Sequence, residues 1–283
     1  MTWKQSSDLK GVDIKEVMAV KRLHLSYNML IEYSEAVQRC NFTIKCIPTD
    51  TCRQKINNVK IKITPEVKYS YGKDGLNNLQ VYGVCDTPHN SFEFHIEADA
   101  ETGLSEYETD TNKDLDMVFS HEHGLNAAGS EIKAFHTALS YLNDIENDYE
   151  KSIELMHELS RKFKYVSKST DVNTSAEEAF IQGFGVCQDY AHIYIALLHL
   201  SKVPARYVTG FIVGEGESHA WVEILYNGKW YGLDPTHDRV VNDEYIKLGI
   251  GRDAKDCMIN RGIMHGGGLH TQRVTVQVCE NSR

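Results

Sequence analysis

One of the seven cysteines, Cys187, lies where a thiol could act as a nucleophile. Gly183 and Gly185 allow the backbone to turn sharply just before it, and residues 188–200 fit a helix. The thiol then falls in a first helical turn, where unpaired N–H groups and the helix dipole favour the nucleophilic thiolate. Asp189 opposes this effect, because a nearby negative charge disfavours a second one. A buried structural cysteine beneath the helix is the alternative interpretation.

A hairpin further along the chain can bring an imidazole and a carboxylate together. Asn227-Gly228 predicts a two-residue type I′ turn between strands at 219–226 and 229–234. Counting outwards from this turn puts His219 and Asp234 on one face as diagonal neighbours. Such neighbours lie roughly 7–8 Å apart at the backbone, which both side chains can span. The carboxylate would fix the tautomer and orientation of the imidazole and stabilise its protonated form.

The opposite face of this hairpin is apolar and is expected to pack on a core; it carries Val222, Ile224, Tyr231 and Leu233. The His219–Asp234 face is then expected to look towards the helix that carries Cys187. A thiol, an imidazole and a carboxylate are the residue types of nucleophile, base and orienting acid. We therefore take Cys187, His219 and Asp234 as the candidate catalytic residues.

Two kinds of sequence pattern divide the chain. From residue 24 to residue 97, alternating apolar and polar runs separated by turn signals predict an antiparallel β-sandwich. Eight acids and one lysine follow between Glu97 and Asp116, a local net charge of -7 that favours a solvated linker. After this stretch, helical periodicity predicts four helices, over residues 131–142, 149–163, 176–181 and 188–201. The rest of the chain is rich in predicted strands.

These patterns predict an α+β fold with four segments. Residues 1–23 form an N-terminal extension, residues 24–104 a β-sandwich domain, residues 105–129 an acidic linker and residues 130–283 a catalytic domain. Thr174 or Ser175 is expected to cap the third helix of the catalytic domain.

The composition excludes several classes of protein. The 283 residues are 41% apolar and 25% charged, as in ordinary globular proteins, which excludes disordered and fibrous chains. A net charge of -10 without a basic stripe argues against nucleic-acid and membrane-surface partners. No apolar run approaches the roughly 20 residues that cross a bilayer. The first 23 residues also lack the pattern of a secretory signal.

The cysteines favour a reducing compartment. Their number, seven, is odd, and the chain is long without an export signal, so reduced thiols and a cytoplasmic location are expected. Cys40, Cys46 and Cys52 recur every six residues, but zinc ligands usually form tighter pairs. Roles as small buried residues are therefore favoured over a metal site.

Other residues of chemical interest have plainer interpretations. His192 lies on the Cys187 helix, where packing or exposure is favoured over catalysis. Trp221 and Trp230 lie on the His219–Asp234 face, and aromatic packing is favoured over a substrate groove. Arg252, in Gly251-Arg252-Asp253, favours a structural contact with a carboxylate over substrate placement.

Together these residues resemble the transglutaminase-like superfamily, in its bacterial cysteine-peptidase branch. The motifs are Gly185-Val-Cys-Gln-Asp-Tyr-Ala-His192, Ser218-His-Ala-Trp-Val-Glu223 and Trp230-Tyr-Gly-Leu-Asp-Pro-Thr236, within residues 130–283. Upstream, Asp74-Gly-Leu-Asn-Asn78 and Thr87-Pro-His89 resemble more loosely the sandwich domain that often precedes this core in bacteria. The resemblance implies a papain-like α+β core and a Cys–His–Asp triad, carried here by Cys187, His219 and Asp234.

The predicted function is that of a cysteine enzyme acting on peptide or protein amide bonds through an acyl-thioester on Cys187. His219 would move the protons and Asp234 would orient it, without a metal or organic cofactor. Hydrolysis is favoured over transfer to an amine, since the resemblance is to the peptidase-like branch and no calcium-loop motif is apparent. Protein-glutamine transamidation and a non-catalytic peptide-binding module of the same fold are the alternatives, and the oligomeric state is left open.

Overall fold

The computed structural model of the protein describes residues 20–110 and 114–281, so most of the predicted N-terminal extension (1–23) lies outside the described residues. The strands are β1 (Lys21–Ile44), β2 (Gln54–Thr64), β3 (Tyr69–Lys73), β4 (Leu79–Cys85), β5 (His89–Thr102), β6 (Lys164–Tyr165), β7 (Phe184–Gly185), β8 (Ala205–Ile212), β9 (Gly214–Gly216), β10 (His219–Tyr226), β11 (Lys229–Asp234), β12 (Arg239–Val240), β13 (Tyr245–Gly251), β14 (Asn260–Gly266) and β15 (His270–Glu280). The α-helices are α1 (Asp114–Val118), α2 (Ser130–Ala138), α3 (Asp148–Lys162), α4 (Ala176–Gln182) and α5 (Cys187–Leu200). No helix in these described ranges has the length and apolar character needed to cross a bilayer.

The N-terminal part is an eight-stranded antiparallel sheet organised around the long strand β1. The first half of β1 lies between β5 and β15, and its second half pairs with β4 and β14. Its register against β5 shifts between Glu32 and Val37, where the strand changes neighbours. Alternate residues of both halves contribute to one buried apolar cluster. The prediction of an antiparallel, strand-built N-terminal region is confirmed.

The C-terminal strands return to this first sheet. β15 pairs with β1 from Leu23 opposite Glu280 to Tyr33 opposite His270, and β14 pairs with the second half of β1. Strands from both predicted domains, residues 24–104 and residues 130–283, therefore belong to the same sheet. The pairing occupies the hydrogen-bonding edge that β1 would otherwise leave open on that side.

The second sheet has five antiparallel strands in the order β12-β11-β10-β8-β13. Helix α5 is buried along residues 189–198, as expected of a helix that is apolar on nearly all sides. Val222, Ile224 and Leu233 of the sheet belong to the same buried cluster as this helix and its neighbours α2, α3 and α4. The α+β class and the four predicted helices are confirmed, and Ser175 caps α4 by accepting the N–H of Glu178.

The two sheets meet through an apolar contact and two side-chain amides. Phe211 of the second sheet packs on Tyr27 of the first, with ring centroids 5.7 Å apart. The Gln54 amide donates to the carbonyl of Lys247 at 2.9 Å and accepts its N–H at 2.8 Å. Asn78 forms the same two-bond contact with Ile250, at 2.8 Å in both directions. These amides continue the hydrogen-bond ladder beyond the edge strand β13.

The acidic stretch at residues 97–116 is not a solvated linker throughout. Glu108 is buried, and its backbone exchanges hydrogen bonds of 2.9 and 3.0 Å with that of Trp230. The Asp110 carboxylate lies 2.5 Å from the guanidinium of Arg206, which is itself almost fully buried. The prediction was wrong at these positions because a buried guanidinium needs anionic partners, and the acidic stretch supplies one.

Gly210 of β8 lies where the backbone leaves no room for a side chain. A Cβ there would overlap the carbonyl oxygen of Ile246 and the ring of Trp221. Overpacking a tight interior costs roughly 1–3 kcal/mol, more than the roughly 0.4–1 kcal/mol that Gly→Ala gains by restricting the unfolded chain. We therefore expect Gly210→Ala to lower the free energy of unfolding, measured in urea, by roughly 1–2 kcal/mol. The control is Gly216→Ala, where no atom lies within 4 Å of the added Cβ; equal losses in both variants would contradict the packing argument.

Candidate active site

Cys187 begins α5, and the segment before it is held by one buried carboxylate. Asp189 accepts the N–H of Val186 at 2.7 Å and the hydroxyl of Thr170 at 2.6 Å. A Cβ on Gly185 would overlap this carboxylate, so glycine is required for the close approach. Burial raises the pKa of Asp189. Asp189 thus fixes the start of the helix, and the half-buried sulfur of Cys187 is left at its tip.

The hairpin forms in the predicted register. Tyr226 pairs with Lys229 and Leu225 pairs with Trp230. Both turn residues have positive φ, 52° at Asn227 and 72° at Gly228, as a type I′ turn requires. His219 and Asp234 consequently meet on one face, where the distance between Nε2 and Oδ2 is 2.7 Å.

Asp234 is fully buried and holds four further hydrogen bonds. Oδ2 also accepts the hydroxyl of Tyr245 at 2.7 Å and Nδ1 of His237 at 2.8 Å. Oδ1 accepts the backbone N–H groups of Thr236 at 2.9 Å and His237 at 3.3 Å. Burial acts to raise the pKa of Asp234, but the donors, led by His219 and His237, hold it well below its usual range.

His237 and Tyr245 are site residues that sequence reasoning missed. His237 lies three residues after Asp234, just beyond the end of β11, and this closeness in sequence could have identified it as a site residue. Tyr245 lies on β13, and its place beside Asp234 depends on the order of strands in the sheet. Their hydrogen bonds hold the Asp234 carboxylate in place as an anion, so its position does not depend on His219 alone.

His219 lies between the carboxylate and the thiol. Its ring is hydrogen-bonded to Asp234, and Cys187 lies near enough to act on its pKa. Burial is the strongest influence and lowers the pKa of His219, but the hydrogen bonds and charges of Asp234 and Cys187 outweigh it and raise this pKa to about 9. Because Nε2 is bonded to Asp234, Nδ1 is the nitrogen left for the sulfur. The structure therefore brings all three predicted residues together.

The expected orientation of the sheet was wrong. The apolar face with Val222 and Ile224 packs on the helices, whereas Trp221, on the same face as His219, belongs to a separate buried cluster with Tyr245. His219 reaches Cys187 because it is the first residue of β10 and Cys187 is the first residue of α5. The contact is made at the ends of the two elements and not across their packed faces.

The weaker candidates have structural roles, as predicted. His192 is fully buried, accepts a backbone N–H at 3.1 Å, and has its pKa lowered to about 4 by burial. Trp221 and Trp230 are almost completely buried. Arg252 forms a two-bond contact with the carboxylate of Asp256, at 2.8 and 3.0 Å.

A cleft of about 390 Å³ lies near the starts of α5 and β10, although none of the three residues lines it. Gln188, next to Cys187 in sequence, and Ser218, next to His219, both line it, together with Tyr207 and Thr209. The imidazoles of His219 and His237 and the Asp234 carboxylate also lie within 4.8 Å of one another, a spacing that can hold a metal ion. Such an ion would have to replace their mutual hydrogen bonds.

Comparison with known proteins assigns the class of both parts of the chain. Residues 136–235 match the family model of the transglutaminase-like superfamily. Residues 23–101 match the model of the bacterial transglutaminase-like N-terminal region. The chain therefore contains a transglutaminase-like core preceded by a bacterial transglutaminase-like N-terminal region, and the resemblance seen in the motifs is confirmed.

The individual relatives extend the similarity over most of the chain. An uncharacterised protein of Mycobacterium leprae is 37% identical over 127 residues, which cover 41% of this chain and 45% of that protein, so the match spans less than half of the relative. An uncharacterised protein of Mycobacterium bovis is 24% identical over 275 residues, covering 86% of this chain and 88% of that protein. The solved structure of a proposed cysteine protease from Cytophaga hutchinsonii has the same fold, with a TM-score of 0.75 at 21% identity over 94% of this chain and 92% of that chain.

Replacing Asp234 by Asn tests the electrostatics of the site. We expect the pKa of His219 to fall from about 9 to its ordinary value of 6.5 or below, because burial then acts with only the thiol opposing it. In the wild type the raised pKa stabilises the fold fully below pH 6.5, and this stabilisation is lost as the pH rises through about 9. Asp234→Asn should remove that pH dependence. Imidazole NMR titration and urea unfolding across this range measure both effects.

The control for this titration is Asp99→Asn, which removes the carboxylate 2.9 Å from His24 on the surface of the first sheet. It should leave the titration of His219 unchanged. A His219 that titrates at the same pH in wild type and Asp234→Asn would contradict the electrostatic account.

Proposed function

We propose that this protein is a cysteine-dependent enzyme that cleaves amide bonds of peptides or proteins through an acyl-thioester on Cys187. The observation that carries the proposal is the 2.7 Å hydrogen bond between His219 and Asp234, with Cys187 acting on the same imidazole from the tip of a helix. A cleft lies nearby. A nucleophile, a base and an orienting acid are the parts that nucleophilic acyl transfer requires.

The first half of the proposed reaction forms the thioester. With the Cys187 proton held on His219, the sulfur attacks the substrate carbonyl carbon as the thiolate. The resulting oxyanion receives the backbone N–H of Cys187, since first-turn N–H groups have no partner within their helix. Gln182 is unsuited to this role because its exposed amide donates to the carbonyl of Phe184 at 3.2 Å. As the intermediate collapses, the C–N bond breaks and His219 protonates the leaving amine.

The second half returns the enzyme to its starting state. Water attacks the thioester carbon, His219 removes a proton from it, and the C–S bond breaks to release the acid and the thiolate. Throughout both halves, Asp234 keeps the imidazole oriented and stabilises its protonated form. An amine in place of water would give transamidation with the same proton transfers.

Two considerations favour hydrolysis over transamidation. The motifs resemble the peptidase-like branch of the superfamily, and the similar structure from Cytophaga hutchinsonii is a proposed cysteine protease.

We also propose a reducing, cytoplasmic location, which fits seven cysteines that are all free in the structure.

Alkylation by iodoacetamide near neutral pH tests the nucleophile. We expect Cys187 to react faster than the exposed thiols Cys52 and Cys279, because His219 removes its proton and the helix tip favours the thiolate. His219→Ala should abolish this preference, and peptide mapping by mass spectrometry reads out each site. A Cys187 that reacts no faster than Cys52 and Cys279 would favour a non-catalytic peptide-binding module.

Peptide-library incubation with and without a primary amine separates hydrolysis from transfer. We expect cleavage products whose masses do not depend on the amine, because water is the proposed acceptor. Cys187→Ala should form no product, and Cys279→Ala, which changes an exposed cysteine far along the chain, should behave as wild type. Amine adducts without cleavage would overturn the preference for hydrolysis while keeping the acyl-thioester.

A further inference from the structure

Three metal-ligating side chains meet in the N-terminal sheet, away from the candidate active site. Cys40 of β1 lies directly opposite Cys85 of β4, and His89 begins β5 four residues later. The two sulfurs and one ring nitrogen of His89 lie within 4.8 Å of one another, and all three residues are buried. The sulfur of Cys40 is 3.9 Å from Nε2 of His89, and that of Cys85 is 3.5 Å from Nδ1.

The histidine is held in the manner of a metal ligand. Nδ1 of His89 lies 2.7 Å from the carbonyl oxygen of Thr87, to which it donates. In that tautomer Nε2 keeps its lone pair, and it faces the sulfur of Cys40. A ligating histidine usually donates its other ring N–H to a carbonyl or carboxylate, which fixes its orientation. Three residues separate Cys85 from His89, and this spacing lies within the range seen between paired zinc ligands.

We propose that Cys40, Cys85 and His89 bind a zinc ion that fastens the β4–β5 connection to β1. Binding releases the two thiol protons, and the two thiolates then neutralise the dipositive ion, so the buried site carries no net charge. Three protein ligands leave the fourth tetrahedral position to water. The ion would hold strands together in the N-terminal sheet, and it takes no part in the proposed reaction.

Cys40, Cys85 and His89 are all buried, so solvent has little access to their ligand atoms and an ion can take its place as their partner. Thiolates are soft ligands that select zinc or copper(I) over hard cations. The set differs from the Cys40, Cys46 and Cys52 series considered from sequence spacing, because Cys46 lies beyond the end of β1 and Cys52 is exposed.

A cross-strand disulfide between Cys40 and Cys85 is the competing use of these thiols. It would need an oxidant, and it would give no role to the oriented imidazole. The zinc site uses all three side chains and the Thr87 carbonyl, and is therefore the proposal that accounts for more of the geometry.

The test measures metal binding by the full chain in a non-thiol reductant. We expect one zinc per chain by mass spectrometry after removal of free metal, and a thiolate-to-metal absorption band when cobalt(II) replaces zinc. Cys85→Ser and His89→Gln should each weaken zinc binding by about tenfold or more in competition with a chelator. The cobalt band of the wild-type protein stands as a readout even where a variant folds poorly.

Two controls locate the metal. Cys46→Ser changes a buried cysteine outside the cluster and should bind zinc as the wild type does. His237→Ala removes a member of the second possible metal cluster, at the candidate active site, and should also keep the zinc.

Three results would overturn the proposal. One is the absence of bound zinc and of the cobalt band in the wild type. Another is zinc that survives Cys85→Ser and His89→Gln but is lost in His237→Ala. The third is a disulfide, detected by counting free thiols in unfolded, unreduced protein. The wild type would then show two fewer free thiols than its seven cysteines, and Cys85→Ser would show Cys40 as a free thiol.

Discussion

The hydrogen bond between His219 and Asp234 depends on the register of a single hairpin. Asn227 and Gly228 close that hairpin with positive φ angles, and a slip of one residue would turn His219 to the helical face of the sheet. Asp234, fully buried, would then lose its charged partner, and burial would favour its neutral form. A two-residue turn therefore decides whether the thiol meets an oriented, protonatable imidazole.

The N-terminal sheet supports this hydrogen bond from a distance. Gln54 and Asn78 hold the backbone of β13 at Lys247 and Ile250, and β13 begins with Tyr245, which donates to Asp234. The support runs in both directions, because the C-terminal strands β14 and β15 complete the N-terminal sheet. The two parts therefore share strand pairing and side-chain hydrogen bonds across the predicted boundary.

Features set by neighbours in sequence were predictable, and features set by layer packing were not. The hairpin register, the Ser175 cap and the polar–apolar alternation around His219 follow from a few adjacent residues. Alternation shows which residues share a face but not which layer that face meets, so the face of His219 was misplaced. The donors His237 and Tyr245 required the loop path and strand order, and the burial of Glu108 required knowledge of Arg206.

The proposed proton transfers are the same for water and for an amine, so the triad alone does not choose the acceptor. In the proposed reaction, the acceptor would approach the thioester through the nearby cleft that Gln188 and Ser218 line. Glu217 and Lys255 both line that cleft, and their opposite charges give it no net attraction for an ammonium group. Water needs no such attraction, because it is present at far higher concentration than any amine. The lining therefore agrees with the proposed hydrolysis, and an amine acceptor would have to be recognised through groups other than its charge.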